Sequence, residues 1–325
     1  MKYLGSEGFL KELLRASRGH KVGIFTHARA DPDGYGSAYA LYSLLLGSGV
    51  SLVRAYLDDM NSLSKGMCSY FPMPLPEEDF IPDVAVVVDT CGLKQAHRGD
   101  EFSGRDIFVI DHHRCRGSSM TGFGMIVPEA SSTSELVLAL LASSSFPAPP
   151  QVYTALLTGL FFDTGNLKYG GKDSLISACR MLEAGADHGL ATSLATREQS
   201  LSLRTAKLKA AQRAEIVRIG DLLVAFSVVG SFEAESAQGL VELGADVSFV
   251  AANRKGGSRV SGRAGERAIK EGIDLTDLLG NLGGGHKGAA GAFFELDAEG
   301  AIAEVRRLAL SYLGSPRAGR SGMPF

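Results

Sequence analysis

Six residues of this chain have side chains suited to holding divalent cations: His27, Asp31, Asp33, Asp89, His112 and Asp163. Four carboxylates and two imidazoles are too many for one structural zinc and lack the thiolates such a site favours. They suit two ions that share a bridging carboxylate. Oxygen-rich sites with a few imidazoles favour manganese, with magnesium or cobalt as substitutes. Two ions at about 3.5–4 Å stabilise both the attacking and the leaving oxygen of a phosphoryl displacement and activate a water at neutral pH.

The elements that must position these residues can be read from the apolar pattern. Unbroken runs at 21–26, 51–57, 84–88 and 107–110 read as strands, and 7–18, 39–46, 131–144, 151–162 and 173–182 as helices. Continuous Val/Ile runs indicate strands covered on both faces, as in a parallel sheet, and strands alternating with helices indicate an α/β fold. In such sheets ligands gather outside the carboxyl ends of the strands. His27, Asp89 and Asp111-His112-His113 all fall there. Between Thr26 and Ala38, Pro32 and two glycines read as a tight loop from which Asp31 and Asp33 project. Asp163 follows an apolar helix and needs a partner, because an unpaired buried carboxylate is costly.

A second unit follows a basic stretch at 197–213, which reads as an exposed helical connector whose charges could line a cleft. Strands are expected at 214–219, 222–229, 247–252 and 258–262, with helices at 234–243, 275–279 and 301–312. Gly283-Gly284-Gly285-His286 reads as a backbone nest for an anion. The expected organisation is an α/β parallel-sheet domain at 1–196, a helical linker at 197–213, a smaller α/β domain at 214–313 and a disordered tail at 314–325.

Composition sets limits. With 325 residues, two cores are the default, and 45% hydrophobic with 21% charged residues is ordinary for a globular protein. A net charge of −3 excludes a bulk polyanion-binding surface but permits a local one. Residues 1–195 hold 16 Lys+Arg against 21 Asp+Glu, and the remainder 17 against 15, so the slightly basic half could hold phosphates. Cys68, Cys91, Cys115 and Cys179 form no C-x-x-C pair, which argues against a zinc site or a disulfide framework. Neither a signal peptide nor a membrane span is expected, and the expected location is the cytoplasm. No obligate protein partner is evident, and a homodimer stays open.

The motifs resemble the DHH phosphoesterase superfamily. His27 with Asp31-Pro32-Asp33-Gly34 matches its first motif, Asp89 after Val86-Val87-Val88 the second, Asp111-His112-His113-Arg114 the signature, and Asp163 in Phe162-Asp163-Thr164-Gly165 the fourth. Gly283-Gly284-Gly285-His286 with Ala289-Ala290-Gly291 resembles the GGGH type of DHH-associated domain. The resemblance implies that His27, Asp31 and Asp89 hold one manganese, and that Asp33, Asp89, His112 and Asp163 hold the second. It implies that His113 faces the substrate phosphate as donor or general acid, with Arg114 beside it. Asp111 would orient the site without binding metal. Arg263, Gly284, Gly285 and His286 would bind a terminal phosphate or the far nucleotide.

Among relatives, the compact two-domain length resembles the nanoRNase/oligoribonuclease and 3′-phosphoadenosine 5′-phosphate phosphatase type. The expected substrates are short oligonucleotides or small nucleotides, with no membrane partner. The competing expectations are a RecJ-like single-strand exonuclease, a cyclic-dinucleotide phosphodiesterase and a nucleotide sensor without turnover.

Overall fold

The computed structural model describes residues 2–3, 5–104, 106–115, 122–196 and 199–314. The tail expected to be disordered lies outside these residues beyond Gly314, as do positions 197 and 198 of the expected connector. The chain divides into two compact units, Met1–Arg197 and Glu198–Phe325.

The first unit runs β1 (Lys2–Tyr3), α1 (Ser6–Ser17), β2 (Val22–Phe25), α2 (Pro32–Gly47), β3 (Val53–Tyr56), α3 (Ser62–Met67), β4 (Val84–Val88), β5 (Asp106–Asp111) and β6 (Phe123–Ile126). Then come α4 (Thr133–Ala142), α5 (Pro150–Thr164), α6 (Lys172–Glu183) and α7 (His188–Ala195). The strands form one parallel sheet in the order β1-β6-β5-β4-β2-β3. Every residue of β2 and β4 is buried, as the unbroken apolar runs imply. The two faces are covered differently. Ile24, Val86 and Val88 pack with α2, α4 and α5, whereas Phe25, Ala85 and Val87 are covered by Tyr56, Phe80, Leu93 and Phe102.

The order of strands explains where the site lies. From β2 the chain moves to one side to form β3, then crosses back to place β4 on the other side. The connections therefore diverge between β2 and β4, which opens a crevice at their carboxyl ends.

The sequence reading of residues 26–38 needs correction at this crevice. The helix does not begin near Ala38; α2 starts at Pro32, so Asp33, Gly34 and Gly36 are helical. Pro32 occupies a first-turn position where no N–H is needed, and the Asp31 carboxylate caps the helix by accepting from the N–H groups of Asp33 and Gly34. Gly36 permits close packing: a Cβ there would stand 2.3 Å from the carbonyl oxygen of Ala155 in α5.

In the second unit, α8 (Leu201–Arg213) is followed by β7 (Glu215–Ile219), β8 (Leu222–Val228), α9 (Glu233–Glu242), β9 (Val247–Arg254) and β10 (Gly257–Ala264). It ends with α10 (Glu266–Lys270), α11 (Leu275–Leu279), β11 (Gly283–His286), β12 (Ala289–Phe294) and α12 (Ala298–Gly314). Its sheet order is β11-β12-β10-β9-β8-β7, antiparallel except for the β8–β9 pair. Helix α8 packs through Ala210 on the α9 side, where the Ser227 hydroxyl donates to the Ala210 carbonyl.

The expected anion nest is a second correction. Gly283–His286 is an exposed edge strand paired with β12. Extended backbone cannot make the concave cup of amides that a nest requires. An antiparallel edge strand instead turns alternate N–H and C=O groups outward.

Candidate metal centre and phosphate-binding edge

Three strand ends and two helices bring the six candidate ligands together. The β2 end carries His27; Asp31 caps α2 and Asp33 lies in its first turn. Asp89 follows β4, His112 follows β5, and Asp163 projects from the last turn of α5. Asp89 adopts φ +58, a left-handed conformation that aspartate tolerates better than bulkier residues and that recurs at functional sites.

The ligand atoms fall into two sets. His27, Asp31 and Asp89 offer atoms within 4.8 Å of one another, and Asp33, His112 and Asp163 do the same. Asp89 stands between the sets, with Oδ2 3.5 Å from His27 Nε2 and Oδ1 3.6 Å from His112 Nε2. His27 Nε2 is also 3.7 Å from Asp31, and His112 Nε2 is 3.2 Å from Asp163.

Both imidazoles are aimed by their other nitrogen. Nδ1 of His27 is 2.9 Å from the Ala28 carbonyl, and Nδ1 of His112 is 3.3 Å from that of Ala130. When each Nδ1 carries the donated proton, Nε2 presents its lone pair to the carboxylates, as a metal-binding histidine does. His112 Nε2 is buried and, among the described residues, lies in no hydrogen-bond geometry. Its proximity to Asp163 is therefore a charge contact.

Helix α4 supports the centre in a way the sequence reading missed. The backbone N–H of Thr133 donates to Asp33 Oδ2 at 2.6 Å, and both the N–H and hydroxyl of Ser134 donate to Oδ1. The Thr133 hydroxyl donates to Asp89 Oδ1 at 3.0 Å. The string Ser131-Ser132-Thr133-Ser134 was recognisable as a helix start. That its donors would serve carboxylates 100 and 44 residues upstream was not.

Charge makes the strongest case for cations. Asp33 is fully buried and Asp89 only 3% exposed. Among the described residues, no lysine or arginine pairs with Asp31, Asp33, Asp89 or Asp163. Burial pushes Asp33 well above the usual carboxylate range, reinforced by Asp163 and Asp89, and burial raises Asp89 likewise. The neighbouring carboxylates of Asp31 and then Asp89 lift His27 to about 11. Burial pulls His112 down, but Asp163 and Asp89 outweigh it and raise the group to about 9. At neutral pH, protons thus occupy sites where divalent cations would sit, and the donor set fits such cations. Loading should therefore release protons and tighten as pH rises from 6 to 8. Calorimetry of manganese binding in buffers of different ionisation heat measures the number released. A binding enthalpy independent of buffer would contradict this.

His113 and Asp111 form a pair at the edge of the cluster, with His113 Nδ1 also 3.7 Å from Asp89 Oδ1. Asp111 is fully buried, and its Oδ1 accepts from the His113 backbone N–H at 3.1 Å and ring Nδ1 at 2.8 Å. The ring is 56% exposed, leaving Nε2 free to face solvent or a substrate. Arg114 is exposed beside it.

The cysteine expectation is corrected here: Cys91 and Cys115 are joined by a disulfide. Their wide sequence spacing concealed this, because the ends of the paired strands β4 and β5 bring them together.

In the second unit, strand register aligns Arg263 with Ala289 and Ala289 with His286, so Arg263 and His286 share one end of the sheet. Gly285 has φ +149, and a Cβ there would stand 2.2 Å from the Ala289 carbonyl oxygen, so glycine is required. Gly284 has open space on its Cβ side. Arg263 also lines a cavity of about 380 Å³ with Lys207, Ala234, Glu235 and Gln238.

A family model, the DHH family N-terminal domain, matches residues 21–160. An uncharacterized protein of Methanocaldococcus jannaschii is 31% identical over 296 residues, 86% of this chain and 89% of that one. The chain belongs to the DHH family. Another uncharacterized protein, from Mycoplasma genitalium, is 23% identical over 147 residues, 44% of this chain and 45% of its own. An exopolyphosphatase-related protein from Bacteroides fragilis superposes with a TM-score of 0.61 at 18% identity, covering 94% of this chain and 97% of that one. This likeness shows a shared fold. The DHH string itself is Asp111-His112-His113, in which Asp111 holds His113 and the two imidazole rings lie 4.3 Å apart. Among the described residues, no helix is long and apolar enough to cross a membrane.

Proposed function

We propose that this DHH protein hydrolyses phosphoester bonds in short oligonucleotides or in 3′-phosphoadenosine 5′-phosphate, with two divalent cations, manganese by preference. The observation that carries this reading is the placement of Asp89 between two ligand sets, its two oxygens each facing one imidazole Nε2. His27, Asp31 and Asp89 would hold one ion, and Asp33, Asp89, His112 and Asp163 the other. When bound, the ions supply a nucleophilic water at neutral pH and offset charge on the phosphate oxygens. The protein's own groups do the rest. Carbonyls of Ala28 and Ala130 hold the imidazoles in orientation, and α4 holds Asp33 and Asp89. Asp111 accepts the Nδ1 proton of His113 and so turns the exposed Nε2 toward the substrate phosphate or leaving oxygen. Arg114 supplies positive charge beside it.

The test is turnover with manganese over a substrate series from dinucleotide to about twenty nucleotides in RNA and DNA, with 3′-phosphoadenosine 5′-phosphate and cyclic dinucleotides alongside. A rate that falls with length supports the proposal. A rate that rises with length makes the protein a longer-strand nuclease, and binding without turnover makes it a sensor.

Two variants divide the machinery. Asp31→Ala and Asp33→Ala should each lose one metal, because the two carboxylates face different ligand sets. Metal analysis of the purified variants decides this; loss of both ions from either would refute the division. His286→Ala should raise KM for oligonucleotides several-fold more than for a small chromogenic phosphodiester. Equal effects on both substrates would remove His286 from oligonucleotide binding.

A further inference from the structure

The Cys91–Cys115 disulfide lies among groups whose positions matter to the site. Cys91 stands two residues after Asp89 and Cys115 two after His113. Their Cα atoms are 5.4 Å apart, a usual disulfide separation. The Cys115 sulfur is also 3.3 Å from Oδ2 of Asp111, whose other oxygen holds His113. A change at sulfur is thus one carboxylate away from the exposed imidazole.

We propose that Cys91–Cys115 is a reversible thiol–disulfide modification site that sets the hydrolysis rate through Asp111 and His113, fast as the disulfide and slow as the dithiol. The disulfide ties the Asp111–Cys115 segment to the end of β4, so the residues carrying His113 are anchored at both ends. Reduction has two consequences. It frees the Cys115 end of the segment, restoring backbone freedom that the crosslink removed. It also turns Cys115 from a sulfur without a proton into a thiol donor aimed at Asp111 Oδ2. That donor draws charge from the carboxylate that accepts the His113 proton, and His113 is held less firmly.

The exchange needs a low-molecular-weight thiol. Its thiolate attacks one sulfur, forms a mixed disulfide and expels the other cysteine as a thiolate; a second thiol then releases the first as a small disulfide. The cysteine pair gains two electrons and two protons, and two small thiols are oxidised. The reverse exchange with the small disulfide restores the crosslink. Access is available, since both cysteines are only partly buried and Cys115 lines an opening of about 330 Å³ with Arg114, Ile126, Pro128 and Glu129.

This inference relies on the proposed hydrolysis only for its rate readout. The metal-loaded protein is equilibrated with graded mixtures of reduced and oxidised glutathione. Each sample is divided for alkylation with peptide mapping, metal analysis and hydrolysis of a dinucleotide. The expected result is one Cys91–Cys115 transition, with the rate falling about tenfold on reduction, less than the roughly hundredfold cost of fully misplacing a reacting group. Metal content should stay constant. Cys91→Ser and Cys115→Ser should sit at the reduced rate in every mixture, and Cys179→Ser, which alters an exposed free cysteine, should behave as the parent.

Absence of a Cys91–Cys115 crosslink, equal rates in both states, or a rate loss matched by metal loss would each overturn the proposal. If neither state hydrolyses any substrate, the hydrolytic reading fails. The His113 ring resonance, assigned with His113→Asn, then decides alone: a shift on reduction supports the coupling, and an unchanged signal refutes it.

Discussion

Asp89→Ala should abolish the proposed manganese-dependent hydrolysis, lowering the rate by about a thousandfold or more, at the upper end of losses from removing one central electrostatic group. No other candidate ligand faces both histidines. Its Oδ2 lies 3.5 Å from His27 Nε2 and its Oδ1 3.6 Å from His112 Nε2, so its removal takes a ligand from both sets. The Thr133 hydroxyl also loses its acceptor. Metal content should fall along with the rate, which distinguishes a broken centre from a misplaced substrate. The fold should survive. Burial, then the charges of Asp31 and Asp163, raise Asp89 against the opposing pull of His27 and His112, so its removal relieves burial and repulsion while costing the histidine contacts. The melting temperature without metal should change little. Asp89→Asn keeps the shape and can still accept from Thr133, so its failure would isolate the charge. Substantial dinucleotide hydrolysis by Asp89→Ala would refute the two-metal centre.

The strand ends were legible in the sequence because both-face burial requires continuous apolar runs, and such runs stop where polar residues begin. Val84–Val88 before Asp89, and the run ending at Asp111, needed no knowledge of tertiary contacts. The partition of ligands was legible only through the family pattern. Spacing places His27 near Asp31, but it says nothing about Asp163 approaching His112 across more than fifty positions.

The misreadings share a cause, which is that tertiary contact reassigns a local signal. Gly34 and Gly36 look like loop residues, yet they sit in α2 where a Cβ would crowd the Asp89 side chain or the α5 backbone. The glycines of Gly283–His286 suggested a nest, but Gly283 and Gly285 are consumed by close pairing with β12. Cys91 and Cys115 looked unpaired because nothing in the spacing records that β4 and β5 are neighbours. The short elements β6, α3, α7 and α10 lacked enough periods to stand out from loops.

Gly36→Ala should strongly destabilise the first unit's helix packing. Its Cβ would stand 2.3 Å from the Ala155 carbonyl oxygen and 2.9 Å from that carbonyl carbon. The obstacle is backbone, so no side-chain rotation relieves it; α2 and α5 must separate. Overpacking of this kind costs about 1–3 kcal/mol and sometimes more, well above the helix-propensity gain of up to about 1 kcal/mol from replacing glycine by alanine. Helix α2 carries Asp33 and is capped by Asp31, whereas α5 carries Asp163, so the same separation parts the ligands of one set. The variant should lose stability and bind metal more weakly at the Asp33, His112 and Asp163 set. Gly66→Ala, also in a helix but with nothing within 4 Å of the added methyl, is the control and should keep or gain stability. Denaturant titration of both variants, with and without manganese, measures the two effects. A Gly36→Ala protein as stable as the parent would mean that α2 and α5 are not packed backbone to backbone, and the placement of Asp163 opposite Asp33 would fall with it.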